Sequence, residues 1–132
     1  MANPNIVSVT SILGETTYLT PSATSSVILL PNAASSGKVY KINQIVAANV
    51  DGASAVNTTV VIYTDGSVAQ GSASSGGTAY PIVSTISVPA DASLIVADKT
   101  TAIYLMEDTS IAVTSGTASK ITYTISYEII SS

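Results

Sequence analysis

Over residues 121–129 every second side chain is large and apolar. Ile121, Tyr123, Ile125, Tyr127 and Ile129 alternate with Thr122, Thr124, Ser126 and Glu128. Successive side chains of an extended chain point to opposite faces, so this period of two makes one buried face and one wet face. Each large side chain buried there contributes about 1.5–3 kcal/mol. A slip by one residue would turn the whole set into water, so the pattern fixes register as well as conformation.

The same period recurs along the chain. In "KVYKINQIVAANV" it places Tyr40, Ile42, Val46, Ala48 and Val50 on the apolar side, with Lys41, Asn43 and Asn49 opposite. In "AYPIVSTISV" it sets Ile82, Ile86 and Val88 against Thr85 and Ser87. Shorter strands are expected over 6–12, 16–20, 27–31, 93–97, 102–106 and 110–114. Val60, Val61, Ile62 and Tyr63 are apolar on both sides, which predicts a strand covered on both faces.

Turn chemistry punctuates these runs. Asp51-Gly52 and Asp65-Gly66 are turn dipeptides, because glycine tolerates positive φ and aspartate bonds its own backbone. Residues 43–66 therefore read as a β-hairpin, with a wider loop over 51–57. Turns are also expected at Pro89 and Asp91, over 106–110 and over 114–119. No stretch has convincing helical amphipathicity; in "ADASLIVADKT" the run Leu94, Ile95 and Val96 favours a strand. Regularly spaced short strands predict an all-β fold, an antiparallel β-sandwich or jelly-roll-like single domain. Residues 1–12 form an N-terminal arm or first strand, and 13–132 the sandwich. The Gly/Ser-rich stretch 66–79 is expected to be a long flexible loop, either a tether or a segment that orders against a neighbouring subunit.

Composition narrows the function. Charged residues make up 9% of the 132 and the net charge is −4, against about 25% charged in an ordinary soluble domain. Serine and threonine together number 38, so the polar surface is mostly hydroxyl. An apolar, charge-poor chain of this kind is suited to burying part of its surface in an assembly. The four lysines, Lys38, Lys41, Lys99 and Lys120, form no basic run, which argues against nucleic acid. No apolar run approaches the roughly 18 residues that span a bilayer. The opening "MANPN" has no signal-peptide pattern, so synthesis in the cytoplasm is expected.

The chemical inventory is thin. There is no Arg, His, Cys, Trp or Phe, which removes the usual nucleophile–base triads, disulfides and thiolate metal sites. A Ser–Lys dyad has no supporting motif. Glu107 and Asp108 read as a polar turn. Asp91 with Asp98 could contribute to a calcium site, yet no DxDxDG loop exists. Neither phosphate-cradling signature is present. The sequon at Asn57 has no secretory context. No catalytic residue, cofactor or metal is expected, and the chain reads as non-enzymatic. Seven tyrosines admit one other class, a host-surface carbohydrate-binding module; Tyr123 and Tyr127 belong to the core, while Tyr18, Tyr63, Tyr80 and Tyr104 are open to that role.

The opening "MANPNIVSVTSILGETTYL", the region "GKVYKINQIVAANVDG" and the run "TISVPADASLIVADKTTAIYLMEDTSIAVTSG" resemble small virion proteins of tailed bacteriophages, especially those infecting cyanobacteria and marine bacteria. The resemblance spans nearly the whole chain apart from 66–79, and implies a β-sandwich or jelly-roll subunit present in many copies. It carries over no active-site residues. It implies a virion protein made in the host cytoplasm, with capsid decoration (cement) the preferred role and a neck, tail or fibre component the alternative. The expected partners are other virion proteins, the major capsid protein first, and further copies of the chain. Contact segments are expected in the N-terminal arm, at Asn3, Pro4, Asn5 and Ile6, and around the 66–79 loop, at Val68, Gln70 and Tyr80.

Overall fold

The computed structural model describes residues 11–131. Nine strands follow one another: β1 (Ser11–Leu19), β2 (Val27–Asn32), β3 (Lys38–Asn49), β4 (Val56–Tyr63), β5 (Ala79–Val88), β6 (Ser93–Ala97), β7 (Ile103–Leu105), β8 (Thr109–Ser115) and β9 (Ile121–Ser131). A 3₁₀ turn, Lys99–Thr101, separates β6 from β7. Sheet A has the order β1-β9-β3-β6, with β7 also paired to β3, and sheet B the order β2-β8-β4-β5. Every pairing is antiparallel.

The pairs are nested along the chain. β1 joins β9, β2 joins β8, β3 joins β6 and β7, and β4 joins β5. That is one long two-stranded ribbon rolled over itself, closed by the β9–β3 and β8–β4 pairings. It is the arrangement of a jelly roll, and the expected all-β sandwich is what the chain forms.

The core lies between the sheets. β9 supplies Ile121, Tyr123, Ile125 and Tyr127, all buried in the pattern read from its alternation. Ile42 and Ile45 from β3, Val60 from β4 and Val113 from β8 meet them. The Tyr123 hydroxyl, fully buried, donates to the Thr114 carbonyl (3.0 Å) and bonds the Thr58 hydroxyl across the layers. A buried phenol needs such partners, because an unsatisfied polar group there costs about 1–3 kcal/mol.

Three expectations need correction. Residues 43–66 are not a hairpin: β3 lies in sheet A and β4 in sheet B, so the link between them crosses the sandwich. Asn49, 3% exposed, holds that crossing. Its amide donates to the carbonyls of Ser54 (3.0 Å) and Val88 (2.9 Å), and its side-chain oxygen accepts from the Asp51 amide (2.9 Å).

The second correction concerns phase. A β-bulge at Asn43 shifts the β3–β9 register between Ile42 and Gln44. Inward residues are even up to Ile42 and odd from Ile45, so Ala47 and Asn49 are buried while Val46 and Ala48 are half-buried and Val50 is exposed. Register shifts also break the alternation of β5 before Ile86; Ile86 and Val88 keep the same side, with Ile86 exposed and Val88 buried.

The third concerns residues 66–79, which fold back onto their own chain as a strap over the outer face of sheet B. Val68 packs on a small cluster of Ile28, Val61, Tyr63 and Ala112. The Gly71 amide donates to the Ile28 carbonyl (2.8 Å), the Ile28 amide to the Ser72 carbonyl (3.0 Å) and the Ser74 amide to the Ser26 carbonyl (3.1 Å). Val27 and Ala73 form an antiparallel bridge, so the strap pairs with the outer edge of β2. The Gly77 amide donates to the Tyr63 hydroxyl (2.8 Å). At the strap's start, a Cβ on Gly66 would lie 2.0 Å from the Asn32 carbonyl oxygen, so only glycine fits there. The apolar residues on both sides of β4 required two covers, and the strap is the second.

Candidate functional site

The strap covers part of sheet B and leaves β5 largely exposed; on sheet A the open surfaces are the edge strand β1 and the outer face. β1 is paired to β9 on one side only among the described residues. Ile12, Leu13 and Tyr18 on it are 58%, 55% and 71% exposed. Leu13 and Glu15 register with Ile129 and Tyr127, and so share the inward side of the sheet, yet both stay exposed. The Glu15 carboxylate accepts the Tyr127 hydroxyl (2.7 Å). This edge therefore offers unpaired backbone groups and apolar side chains on both faces, an arrangement that invites strand addition.

The outer face of sheet A carries a groove made by the bulge. β6 covers β3 from Ile45 onward and β7 covers it up to Ile42, leaving Asn43 and Gln44 between the two. The turn that connects β6 to β7 flanks that gap. The result is a groove of about 510 Å³ lined by Asn43, Gln44, Asp98, Lys99, Thr100 and Ser126. Asp98 fixes the turn: its carboxylate accepts the Thr100 amide (2.9 Å), and its own amide donates to the Thr101 hydroxyl (3.2 Å). Bonds from the Thr100 hydroxyl, then from its amide, hold the Asp98 carboxyl below its ordinary range. The Asn43 amide donates to Glu128 (3.2 Å), and the Ser126 and Thr16 hydroxyls bond at 3.0 Å.

The other titratable groups serve structure. Burial pushes the Tyr123 hydroxyl up to about 12, partly offset by its bond to Thr58. Burial first, then the bond to Glu15, pushes Tyr127 up as well. Hydrogen bonds from Ser67 lower the Asp65 carboxyl, and a backbone bond from Ala53 lowers Asp51. Asp108 accepts from the Gly66 amide (3.3 Å) where the strap begins. Among the described residues no group of three or more Asp or Glu could hold a metal ion.

The predicted contact residues fare differently. Asn3, Pro4, Asn5 and Ile6 lie outside the described residues. Val68 is half-buried and packs on the outward cluster of sheet B. Gln70 is exposed, but its amide donates to the Thr17 hydroxyl (2.9 Å), tying the strap to β1. Tyr80 lies on the edge strand β5 and is exposed.

Sequence reasoning missed the groove, although it left a trace. Ile42 and Ile45 are separated by two polar residues instead of one, which is what a bulge does to an alternating strand. No protein-family model, curated protein sequence or solved structure matches the chain.

Proposed function

We propose that the chain is a non-enzymatic structural protein of tailed-bacteriophage particles, acting as a capsid decoration (cement) protein bound in many copies to the major capsid protein. The observation that carries this reading is β1, an edge strand with Ile12, Leu13 and Tyr18 exposed and one side unpaired among the described residues. Natural sheets blunt such edges with charge, proline or a cover. Sheet B does this at β2 with the strap, and at β5 with Pro81 and two register shifts. Glu15 is the single charged residue of β1, and the Tyr127 hydroxyl bonds its carboxylate. An edge left apolar, where both edges of sheet B carry a blunting device, is fitted for a partner. The sequence resemblance supplies the partner's identity, and repetition over a lattice turns modest contacts into firm attachment.

Quantitative mass spectrometry of purified particles tests the reading. A copy number that scales with the capsomers is expected. A handful of copies per particle would move the chain to the neck, tail or fibre, and its absence from the particle would overturn the assignment.

A further inference from the structure

We propose that the groove at the β3 bulge binds a neutral glycan chain, with Tyr104, on the same face beyond the groove's lining, as a stacking platform. This inference rests on the outer face of sheet A and is independent of the particle assignment. The volume of about 510 Å³ lies within the roughly 300–1,000 Å³ of ordinary ligand pockets.

The lining chemistry suits sugar hydroxyls. The Gln44 side-chain amide is exposed and unengaged, offering two donors and an acceptor. The Asn43 side-chain oxygen is left as an acceptor once its amide has bonded Glu128. Asp98 spends one carboxylate oxygen on its turn and keeps the other. Hydroxyls of Ser126 and Thr100 complete the lining.

The aromatic component comes from register. Tyr104 pairs with Lys41, which pairs with Glu128, and Tyr18 pairs with Thr124. Glu128 and Thr124 lie on the wet side of β9, opposite buried Tyr127, Ile125 and Tyr123. Both tyrosines therefore share the outer face, 47% and 71% exposed, and the groove lies between their rows. From strand spacings they are about 20 Å apart, a span that fits an oligosaccharide better than one sugar. An apolar ring beside convergent hydrogen-bonding groups matches the two sides of a pyranose, its C–H face and its hydroxyl rim. Asp98 and Lys99 offset one another, and the net charge is −4, so a neutral glycan is favoured over a polyanionic one.

The test is an amide chemical-shift titration of the ¹⁵N-labelled full chain with maltohexaose, cellohexaose, mannohexaose and xylohexaose, with hexagalacturonate as the anionic control. Saturable shifts are expected from at least one neutral probe, centred on residues 43, 44, 98–101, 104 and 126. Gln44→Ala and Tyr104→Ala should each weaken binding at least about tenfold while leaving the melting temperature unchanged. The proposal is overturned if no neutral probe gives saturable shifts, if the shifts map elsewhere, if both variants bind as the parent does, or if only hexagalacturonate binds.

Discussion

The two outer faces of the sandwich were given opposite treatments. Sheet B presents Ile28, Val61, Tyr63 and Ala112 outward, and a strap mostly of glycine, serine and alanine packs Val68 against them. Sheet A presents Lys41, Thr122, Thr124, Ser126 and Glu128 outward over most of its width; its apolar outward residues are a row of Ile12, Ile130 and Val39 at one end and the exposed Tyr18 and Ile95. A sheet with two apolar faces must become the middle of three layers, whereas one with a hydroxyl-rich face can stay in water. The strap needs no regular structure for its task. It contributes backbone bonds to the β2 edge and one apolar side chain to the cluster, and small residues let it lie close.

The strongest way to break both halves at once is through their shared core. Ile125→Asp would bury an unpaired charge at a fully buried position and should cost more than about 4 kcal/mol; loss of the cooperative thermal transition is the expected readout. Tyr63→Ala comes next. It removes a ring lying 7% exposed beneath the strap together with the acceptor of the Gly77 amide, at an expected cost of about 3–4 kcal/mol in urea unfolding. Gly66→Ala drives a methyl group into the Asn32 carbonyl and should lose about 2–3 kcal/mol, measured by the same denaturation.

Alkaline pH probes the core hydroxyls. Tyr123 ionises at about 12 in the fold against 10.0 ordinarily. The folded state therefore holds its proton more tightly. The stabilisation is fully present below pH 10 and is lost as pH rises from 10 to 12. The two-unit difference amounts to about 2.7 kcal/mol, visible as a falling melting temperature above pH 10, with Tyr127 displaced in the same direction. The smallest effect is expected on the open face: Tyr18→Ala should change stability by no more than about 0.5 kcal/mol. A loss at Tyr18 as large as that at Tyr63 would show that the two faces are not distinct.

Much of the fold was legible because alternation reports burial directly. β9 and the inward residues Ile121, Tyr123, Ile125 and Tyr127 follow from the pattern alone, and β6 occupies the residues predicted for it. Two kinds of information were not local. A bulge shifts phase without a distinctive residue, so Val46 and Ala48 were assigned inward when Ala47 and Asn49 are. The choice of sheet for each strand depends on partners far along the chain, so the crossing from β3 to β4 read as a hairpin. The strap was the converse case. The doubly apolar β4 announced a second cover, but a Gly/Ser-rich run gives no sign that it will supply one. Of the candidate surfaces, Tyr80 is exposed on β5, whereas the groove at Asn43 follows from a bulge that the alternation conceals.

Amide hydrogen exchange, compared between the free chain and the chain on purified particles, tests the central claim most directly. In the free chain, Gly71 and Ser74 of the strap should already be protected, and the β1 amides that face away from β9 should exchange freely. On the particle those β1 amides should gain strong protection while the strap stays as it was. No gain over 11–19, or a gain confined to 66–79, would contradict the account.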